Sequence, residues 1–251
     1  MQKIAVLSDI HGNFAALEGV IADLQTRQVD CVFNLGDHVS GPLWPKETIQ
    51  TLMKQDWVQI RGNHDRQLVS QDPGEHGLSD RYAFERLSGA ELDWLRALPA
   101  RVQVHNEFLV FHGTPTNDLV YLMETVEHGR LRLSTPDEIR ERLGQTRPGV
   151  LLCGHSHTPR VVDLTEDILL VNPGSVGLPA YEADFPEVHI MESGSHHARY
   201  ALMEYRAGRW RIETIAVPYD YQRAAEQAIK NDRPDWAVGI QTGFMQRQKT
   251  G

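Results

Sequence analysis

The chain has 251 residues, 41% of them hydrophobic, which is typical of one globular α/β domain spanning residues 1–251. Its 34 acidic and 25 basic residues give a formal net charge of -9, which argues against a basic surface that binds nucleic acid. Its two cysteines lie inside apolar runs, so no disulfide framework is expected. Met1 leads almost directly into an apolar run, and no such run approaches roughly 18 residues, so we expect a cytoplasmic protein without membrane contact.

The first predicted element is a strand at residues 4–7, where four apolar residues in succession indicate burial on both faces of a parallel or mixed sheet. Asp9 and His11 follow at its carboxyl end, where ligands bind in open α/β sheets. If the chain stays extended there, both side chains point the same way. A carboxylate and an imidazole at one point suit a divalent transition metal. Asn13 is the predicted N-cap of a helix over residues 14–24.

Two further apolar runs end in a similar way. The second predicted strand, residues 32–35, ends at Gly36 and Asp37, and Pro45 opens the helix that follows. The third predicted strand brings the run Gly62-Asn63-His64-Asp65 to the same edge of the sheet. Glycine at these positions fits a site where main chains turn sharply and approach each other closely.

The next stretch, residues 66–87, has little pattern and is interpreted as a lid or a substrate-specificity insertion. After it, Ser88 and Glu91 have the spacing of a capping box, which predicts the start of a helix. Thr135 and Glu138 form a second capping box and predict another helix start.

Two later apolar runs also end in side chains that bind metals. Residues 108–111 lead to His112, and residues 150–153 lead to the run Gly154-His155-Ser156-His157. Together with the three earlier runs, five strand ends now carry candidate ligands. Chance does not readily arrange such a recurrence, so the sequence predicts a metal site where these strand ends meet.

The last part of the chain has a different pattern. Two alternating runs within residues 199–217, separated at Gly208, predict a β-hairpin. Antiparallel strands this late in the chain indicate a mixed second sheet. A closing helix is predicted over residues 221–230, and the tail from residue 231 onward shows no clear pattern.

The five motifs, taken in order, resemble the signature of the calcineurin-like metallophosphoesterase superfamily. They are Asp9-x-His11, Gly36-Asp37, Gly62-Asn63-His64-Asp65, His112-Gly113 and Gly154-His155-Ser156-His157. The segments at residues 9–13 and 172–177 are similar to its small bacterial branch of phosphodiesterase and diadenosine-tetraphosphatase-like enzymes. The resemblance implies an α/β fold, a four-layer αββα sandwich of two mixed β-sheets flanked by helices.

The resemblance also implies a centre of two divalent metal ions that share Asp37. One ion would be held by Asp9, His11, Asp37 and His157, and the other by Asp37, Asn63, His112 and His155. Two ions about 3.5–4 Å apart clamp phosphate oxygens and lower the pKa of a bridging water, whose hydroxide attacks phosphorus. Mn is the first expectation, and these ligands also admit Fe, Zn, Ni or Co. His64, which is not a ligand in this family, is expected to protonate the leaving oxygen.

The second motif departs from eukaryotic-type Ser/Thr protein phosphatases. It lacks their phosphate-binding Arg, and Ser40 replaces the Asp that orients their catalytic His. We therefore expect a small phosphodiester, a dinucleoside polyphosphate or a phosphomonoester as substrate rather than a phosphoprotein. Arg66 and His38 are candidate substrate contacts. For Arg66, as for Tyr121 and Tyr181, a surface role fits the sequence equally well.

Two other functions compete with this hypothesis. A non-catalytic scaffold on the same fold is one, but the complete ligand set and His64 argue against it. A serine hydrolase using Ser175 is the other, but Pro173 replaces the first glycine of the nucleophile motif, which favours a structural turn. The histidines outside the ligand and acid set are expected mostly at the surface or in loops, and they are His38, His76, His105, His128, His189, His196 and His197.

Overall fold

A computed structural model of the protein describes residues 2–146 and 149–245. Within these residues the strands are β1 (Gln2–Leu7), β2 (Cys31–Asn34), β3 (Val58–Gln59), β4 (Arg101–Val104), β5 (Phe108–Phe111), β6 (Glu124–Glu127), β7 (Arg130–Leu133), β8 (Gly149–Leu152), β9 (Arg160–Thr165), β10 (Ile168–Asn172), β11 (Ala180–Ala183), β12 (His189–Glu192), β13 (Ala198–Arg206) and β14 (Arg209–Val217). The α-helices are α1 (Phe14–Arg27), α2 (Pro45–Leu52), α3 (Asn63–Ser70), α4 (Leu78–Phe84), α5 (Gly89–Ala97), α6 (Pro136–Leu143), α7 (Tyr221–Lys230) and α8 (Pro234–Thr242).

The first sheet has the strand order β14-β13-β1-β2-β3, with β1, β2 and β3 parallel. The predicted hairpin is confirmed as β13 and β14, but its expected place in the second sheet is wrong. Strand β13 pairs antiparallel with β1 and buries side chains on both of its faces. Tyr200 and Leu202 pack toward α1, while Ala201 and Met203 pack toward the second sheet, so β13 suits a central position.

The second sheet has the order β4-β5-β8-β10-β9 and mixes parallel with antiparallel pairs. Ile4 and Val6 of β1 share one apolar cluster with Phe108 and Leu152 of this sheet, so the two sheets face each other. Strand β1 packs its other face against α1, and the far face of the second sheet packs against α6 through Ile139. The predicted αββα sandwich is confirmed.

A third, four-stranded sheet with the order β11-β12-β7-β6 was not predicted. Charged residues interrupt β6 and β7, which are partly exposed, so apolar alternation does not mark them. Helix α8 was not predicted either, although it buries Trp236 and Ile240 in a cluster with Ala224 and Ala228 of α7. The third sheet and α8 matter below because they supply the walls of the candidate site.

Local signals placed most helix ends correctly. Asn13 accepts a hydrogen bond from the Ala16 amide at the start of α1, and both predicted capping boxes are present at α5 and α6. The third motif differs from the prediction, because strand β3 ends at Gln59 and helix α3 begins at Asn63. Among the described helices, none has the length and apolar character needed to cross a membrane.

Candidate metal centre

The candidate ligands follow the carboxyl ends of parallel strands in both facing sheets. Asp9 follows β1, Asp37 follows β2, His112 follows β5 and His155 follows β8. Their main chains are joined by hydrogen bonds, including one from the Asp9 amide to the carbonyl of Gly36 (3.0 Å). The strand ends therefore converge on one place, as the recurring motifs predicted.

Five candidate ligands have left-handed backbone conformations, although the sequence predicts an extended chain at the first motif. The φ angles are 57° for Asp9, 52° for His11, 56° for Asp37, 68° for His155 and 54° for His157. This conformation turns the chain sharply, so the ligands converge through the main chain and not through the two-residue repeat of a strand. The premise of an extended chain is wrong, and the convergence of Asp9 with His11 is confirmed.

The first cluster consists of Asp9, His11 and His157, whose donor atoms lie within 4.8 Å of one another. The Nε2 atoms of His11 and His157 are 3.2 Å apart, and His157 Nε2 lies 3.4 Å from Asp9 Oδ1. Asp9 Oδ1 is buried and accepts no hydrogen bond from the described residues. Two imidazoles and an unpaired carboxylate oxygen form a fitting donor set for a divalent transition metal.

The second cluster consists of Asp37, His112 and His155, again with donor atoms within 4.8 Å of one another. His112 Nε2 lies 3.3 Å from Asp37 Oδ2 and 3.0 Å from Asn63 Oδ1. Asn63 therefore faces this cluster, in agreement with the ligand set that the resemblance implies.

Asp37 lies between the two clusters. Its Oδ2 atom is 3.3 Å from His112 Nε2 in the second cluster and 3.9 Å from His11 Nε2 in the first. Its Oδ1 atom accepts a hydrogen bond from the His64 amide (3.0 Å), which fixes the carboxylate plane. One oxygen is thus held by the protein while the other faces both sets of ligands, as a bridging ligand requires.

Main-chain contacts fix which nitrogen each histidine offers. The Nδ1 atoms of His11, His112 and His157 lie 2.8, 2.7 and 2.8 Å from carbonyl oxygens of Ser40, Leu35 and Leu178. A carbonyl oxygen only accepts, so each Nδ1 carries the proton and Nε2 is left to bind a cation. His155 also contacts the backbone at Leu119.

The electrostatics of the site favour bound positive charge. Burial opposes ionisation of Asp9, yet His157 and His112 lower its pKa to about 2. Burial also opposes charge on His112, but Asp37 raises the pKa of that imidazole to about 10. In contrast, burial and the neighbouring His112 lower the pKa of His155 to about 3, so this ligand stays neutral. The carboxylates remain ionised and attract a cation, and a metal ion would take the place of the His112 proton.

Two glycines allow the second and third motifs to approach each other. Gly36 has a φ of +98°, and a Cβ there would collide with the amide of Gly62. A Cβ on Gly62 would in turn collide with the Asp37 carboxylate. Any side chain at either position would displace Asp37 from the two clusters.

Asp65 fixes the same two motifs from behind. Its Oδ2 atom accepts hydrogen bonds from the amides of Asp37 (2.8 Å) and Gly62 (2.9 Å) and contacts His38 Nδ1 at 2.7 Å. Its Oδ1 atom accepts from the His38 amide (3.0 Å). His38 is fully buried beside it, so the predicted contact of His38 with substrate is wrong. Its imidazole is held in the core because Asp65 needs a fourth donor.

A cavity of about 510 Å³ opens onto both clusters. Its floor includes His11, Asp37, Asn63, His155 and His157, while its walls include Tyr121, Tyr181, Phe185, Arg233 and Trp236. A volume of this size accommodates a small organic phosphate together with part of the group it is esterified to.

The family model for the calcineurin-like phosphoesterase superfamily domain matches residues 2–196. This chain belongs to that superfamily. The match covers more than half of the chain and includes all five motifs.

Three other proteins resemble the chain over nearly its whole length. An uncharacterised protein of Methanocaldococcus jannaschii is 25% identical over 93% of this chain and 94% of its own length. The crystal structure of a metallophosphoesterase from Sphaerobacter thermophilus superposes with a TM-score of 0.75 at 22% identity, covering 97% of this chain and 99% of that one. A hypothetical protein from Pyrococcus horikoshii superposes with a TM-score of 0.73 at 20% identity, covering 98% and 100%. These two structural matches establish the shared fold.

His64 lies beside both clusters of candidate metal ligands. Its Nδ1 atom is 2.9 Å from Oδ1 of Asp80, a nearly buried residue of α4. Its ring lies 5.6 Å from the ring of His11, and its side chain, 35% exposed, lines the cavity. Burial opposes protonation, but Asp80 and Asp37 raise the pKa of His64 to about 9. The segment at residues 66–87 therefore supplies the partner of His64, which the sequence left unassigned.

Arg66, the other predicted substrate contact, forms an ion pair with Asp118. Its guanidinium makes a two-pronged ion pair with Asp118, with Nε to Oδ2 at 2.6 Å and Nη2 to Oδ1 at 2.8 Å. Arg66 does not line the cavity described above. It instead connects α3 to the loop that carries Leu119, which does line the cavity.

Two tyrosines from outside the motifs pack on the rings of candidate metal ligands. Tyr121 lies 4.7 Å from the ring of His155, and Tyr181 lies 4.7 Å from the ring of His157. Their hydroxyls are 2.9 Å apart, and Tyr121 Oη is also 2.9 Å from Nε2 of His189. His189 donates from Nδ1 to a main-chain carbonyl, so Tyr121 donates to His189 and Tyr181 donates to Tyr121. This chain of hydrogen bonds links the third sheet to the metal site.

Several remaining residues differ from the sequence prediction. His189 is buried in strand β12, against the prediction, whereas His76 lies in a loop, although buried, and His105 and His128 are exposed, as predicted. Ser175 donates to the carbonyl of Asp9 (2.7 Å) and accepts from the Leu178 amide (2.9 Å). Its hydroxyl holds a turn beside the metal ligands, as the sequence favoured.

Proposed function

We propose that this protein is a dinuclear metal-dependent phosphoesterase that hydrolyses a small phosphodiester, a dinucleoside polyphosphate or a phosphomonoester. The observation that carries the proposal is the position of Asp37 Oδ2 between two ligand clusters at the floor of a cavity. Asp9, His11, Asp37 and His157 would hold one ion, and Asp37, Asn63, His112 and His155 the other. Mn is the first candidate metal, followed by Fe, Zn, Ni and Co.

Bound divalent ions would polarise the phosphate and lower the pKa of a water molecule. The protein side chains then determine where the substrate lies and how its leaving group departs. Asp80 fixes Nδ1 of His64, so Nε2 is free to face the cavity. Because the pKa of His64 is raised to about 9, Nε2 carries a proton at neutral pH. His64 donates that proton to the leaving oxygen, which makes it the general acid.

The walls of the cavity support a small substrate over a folded phosphoprotein. Tyr181, Phe185 and Trp236 line a cavity of about 510 Å³, and aromatic walls suit a flat or apolar group attached to the phosphate. The acidic chain offers no general basic surface for a polyanion. We also propose that the protein is cytoplasmic, as its sequence predicts.

Metal analysis of purified protein tests the proposal, followed by assays on phosphomonoesters, phosphodiesters and dinucleoside polyphosphates. Chelation should abolish hydrolysis, and added Mn should restore it. Asp37→Asn should lower metal content and reduce activity at least about 10²-fold, because Asp37 contacts both clusters. The exposed His105→Ala variant is the matched control and should behave like the wild type.

Turnover that survives complete metal removal would contradict the proposal. A metal-loaded protein that hydrolyses no compound in the panel would instead favour the alternative, a non-catalytic scaffold on the same fold. Equal effects of Asp37→Asn and His105→Ala would exclude Asp37 as the shared ligand.

A further inference from the structure

Among the described residues that line the metal cavity, Arg233 is the one Arg or Lys side chain. It caps the N-terminus of α8, in the part of the chain where the sequence shows no pattern. Its side chain is 17% exposed and lies against the ring of Trp236, with Cζ 5.5 Å from the ring centroid. Trp236 also lies 6.1 Å from the ring of His11. One aromatic ring thus lies between the guanidinium and a metal ligand.

The contacts of Arg233 leave part of its guanidinium available. Nε and Nη2 donate to the carboxylate of Asp235, with Nη2 to Oδ2 at 2.7 Å, and Nη1 donates to Ser79 Oγ at 2.9 Å. These contacts use three of the five N–H groups of an arginine, which leaves one on each terminal nitrogen. N–H groups on these two nitrogens can bind two oxygens of one phosphate.

Arg233 lies on the same side of the cavity as the proposed general acid. Ser79, which holds Nη1, precedes Asp80, and Asp80 holds His64. A second cavity of about 550 Å³ continues from the first and is also lined by His64, Ser79 and Arg233. In the proposed reaction His64 would protonate the leaving oxygen, so a leaving group that extends past His64 would enter this second cavity.

The charge around the second cavity limits what Arg233 can bind. The exposed carboxylates of Glu182 and Asp184 line both cavities, so the surroundings of Arg233 are acidic. A long chain of phosphates would contact these carboxylates and be repelled. One phosphate held between Arg233 and Ser79 would have two donors and avoid that repulsion.

Building on the proposed phosphoesterase function, we propose that Arg233 is a specificity-determining residue that binds a second phosphate on the leaving group of the substrate. The substrate is then a phosphate ester or anhydride whose released part itself carries one phosphate. Arg233 replaces, from the C-terminal end of the chain, the positive charge that the second motif lacks. Asp235 offsets the positive charge of the guanidinium and repels a nearby phosphate, and so weakens this contact.

Calorimetry with two matched ligands tests the proposal on the full-length, Mn-loaded protein. Propylphosphonate has one phosphonate, and propane-1,3-bisphosphonate adds a second at the other end of the same chain. Wild-type protein should bind the bisphosphonate about tenfold or more tightly, as expected for a charge-assisted contact. Arg233→Ala should remove that preference and leave the Kd of propylphosphonate unchanged. Asp235→Asn, which removes the negative charge beside the guanidinium, should increase the preference.

The opposite responses of these variants separate a binding role from a structural one. If Arg233 only supports α8, both variants will weaken both ligands or lower the melting temperature together, and the proposal fails. An unchanged preference in Arg233→Ala would show that both phosphonates bind at the metals, which also overturns it. If Arg233→Ala does not fold, Ser79→Ala replaces it and should reduce the preference. Because the readout is binding, a protein that hydrolyses nothing still tests Arg233 independently.

Discussion

Removal of the Asp80 carboxylate should make the activity of His64 strongly dependent on pH. Asp80 Oδ1 lies 2.9 Å from His64 Nδ1, and this carboxylate and Asp37 raise the His64 pKa to about 9 against the opposing effect of burial. In Asp80→Asn the amide cannot stabilise the imidazolium charge, so the pKa should fall toward its ordinary value of about 6.5. The general acid would then lose its proton near neutral pH instead of near pH 9.

The expected loss of rate follows from the protonated fraction of His64 in the wild type and in Asp80→Asn. At pH 8 a group with a pKa of about 9 is ~90% protonated, whereas one with a pKa of about 6.5 is ~3% protonated, a difference of about 30-fold. At pH 6 both are mostly protonated, and the expected loss is less than about twofold. Asp37, whose charge a bound metal would neutralise, contributes part of the shift, while burial lowers the pKa in both proteins, so about 30-fold gives the order of magnitude of the expected loss.

The assay is a pH profile of kcat between pH 5.5 and 9.5 for an alkyl phosphate ester, with metal content measured at each end. Asp80→Asn should keep its activity at pH 6 and lose it at pH 8, so its alkaline limb moves to lower pH. Asp72→Asn, an exposed acid in the same segment, is the control and should leave the profile unchanged. Equal losses at pH 6 and pH 8 in Asp80→Asn would refute the assignment of His64 and Asp80 as acid and partner.

Three further predictions concern His64, Asp65 and the substrate. His64→Ala should retain both metals and lose roughly 10²–10⁴ in hydrolysis rate on alkyl phosphate esters. The loss should be smaller on nitrophenyl esters, because their leaving group needs no proton. An equal loss of rate on both ester types would show that His64 has another role. In denaturant titrations, Asp65→Asn should lower the free energy of unfolding by about 3–5 kcal/mol, because the new side-chain NH₂ group would face N–H groups whose hydrogen bonds Oδ2 now accepts. The exposed Asp163→Asn variant should leave the free energy of unfolding unchanged. Small diesters or dinucleotides should exceed phosphoproteins in kcat/KM, and a clear preference for a phosphoprotein would contradict the substrate class.

Local sequence patterns predicted the parts of the fold that local chemistry determines. The apolar run before Asp9 forms a strand buried on both faces, and Asn13, Ser88 and Thr135 cap helices as expected. These features depend on residues a few positions apart, so one sequence is enough to find them. The glycines in the motifs also predicted that main chains approach each other closely, as the main chain of Gly62 approaches Asp37.

Contacts between distant or weakly patterned segments could not be predicted in this way. Asp80 reaches His64 from the weakly patterned segment at residues 66–87, and Arg233 reaches the cavity from a tail without apolar periodicity. Strand β11 carries Tyr181 into the site, but the third sheet is too short and too polar to produce a clear alternation. The position of His38 could not be predicted from the sequence either. An imidazole next to a motif is equally compatible with a cavity wall and with a buried partner for Asp65.

The left-handed conformation of the metal ligands restricts which amino acids can replace them. Asp and His enter this region of backbone space more readily than most residues, and all five ligands that adopt it are one of these two types. Glu and Cys also bind metals, but in place of Asp9 or His155 they would have to adopt a backbone angle that they tolerate less well. Attempts to change the metal preference by exchanging donors should therefore succeed more readily at Asn63 and His112, whose φ angles are not positive.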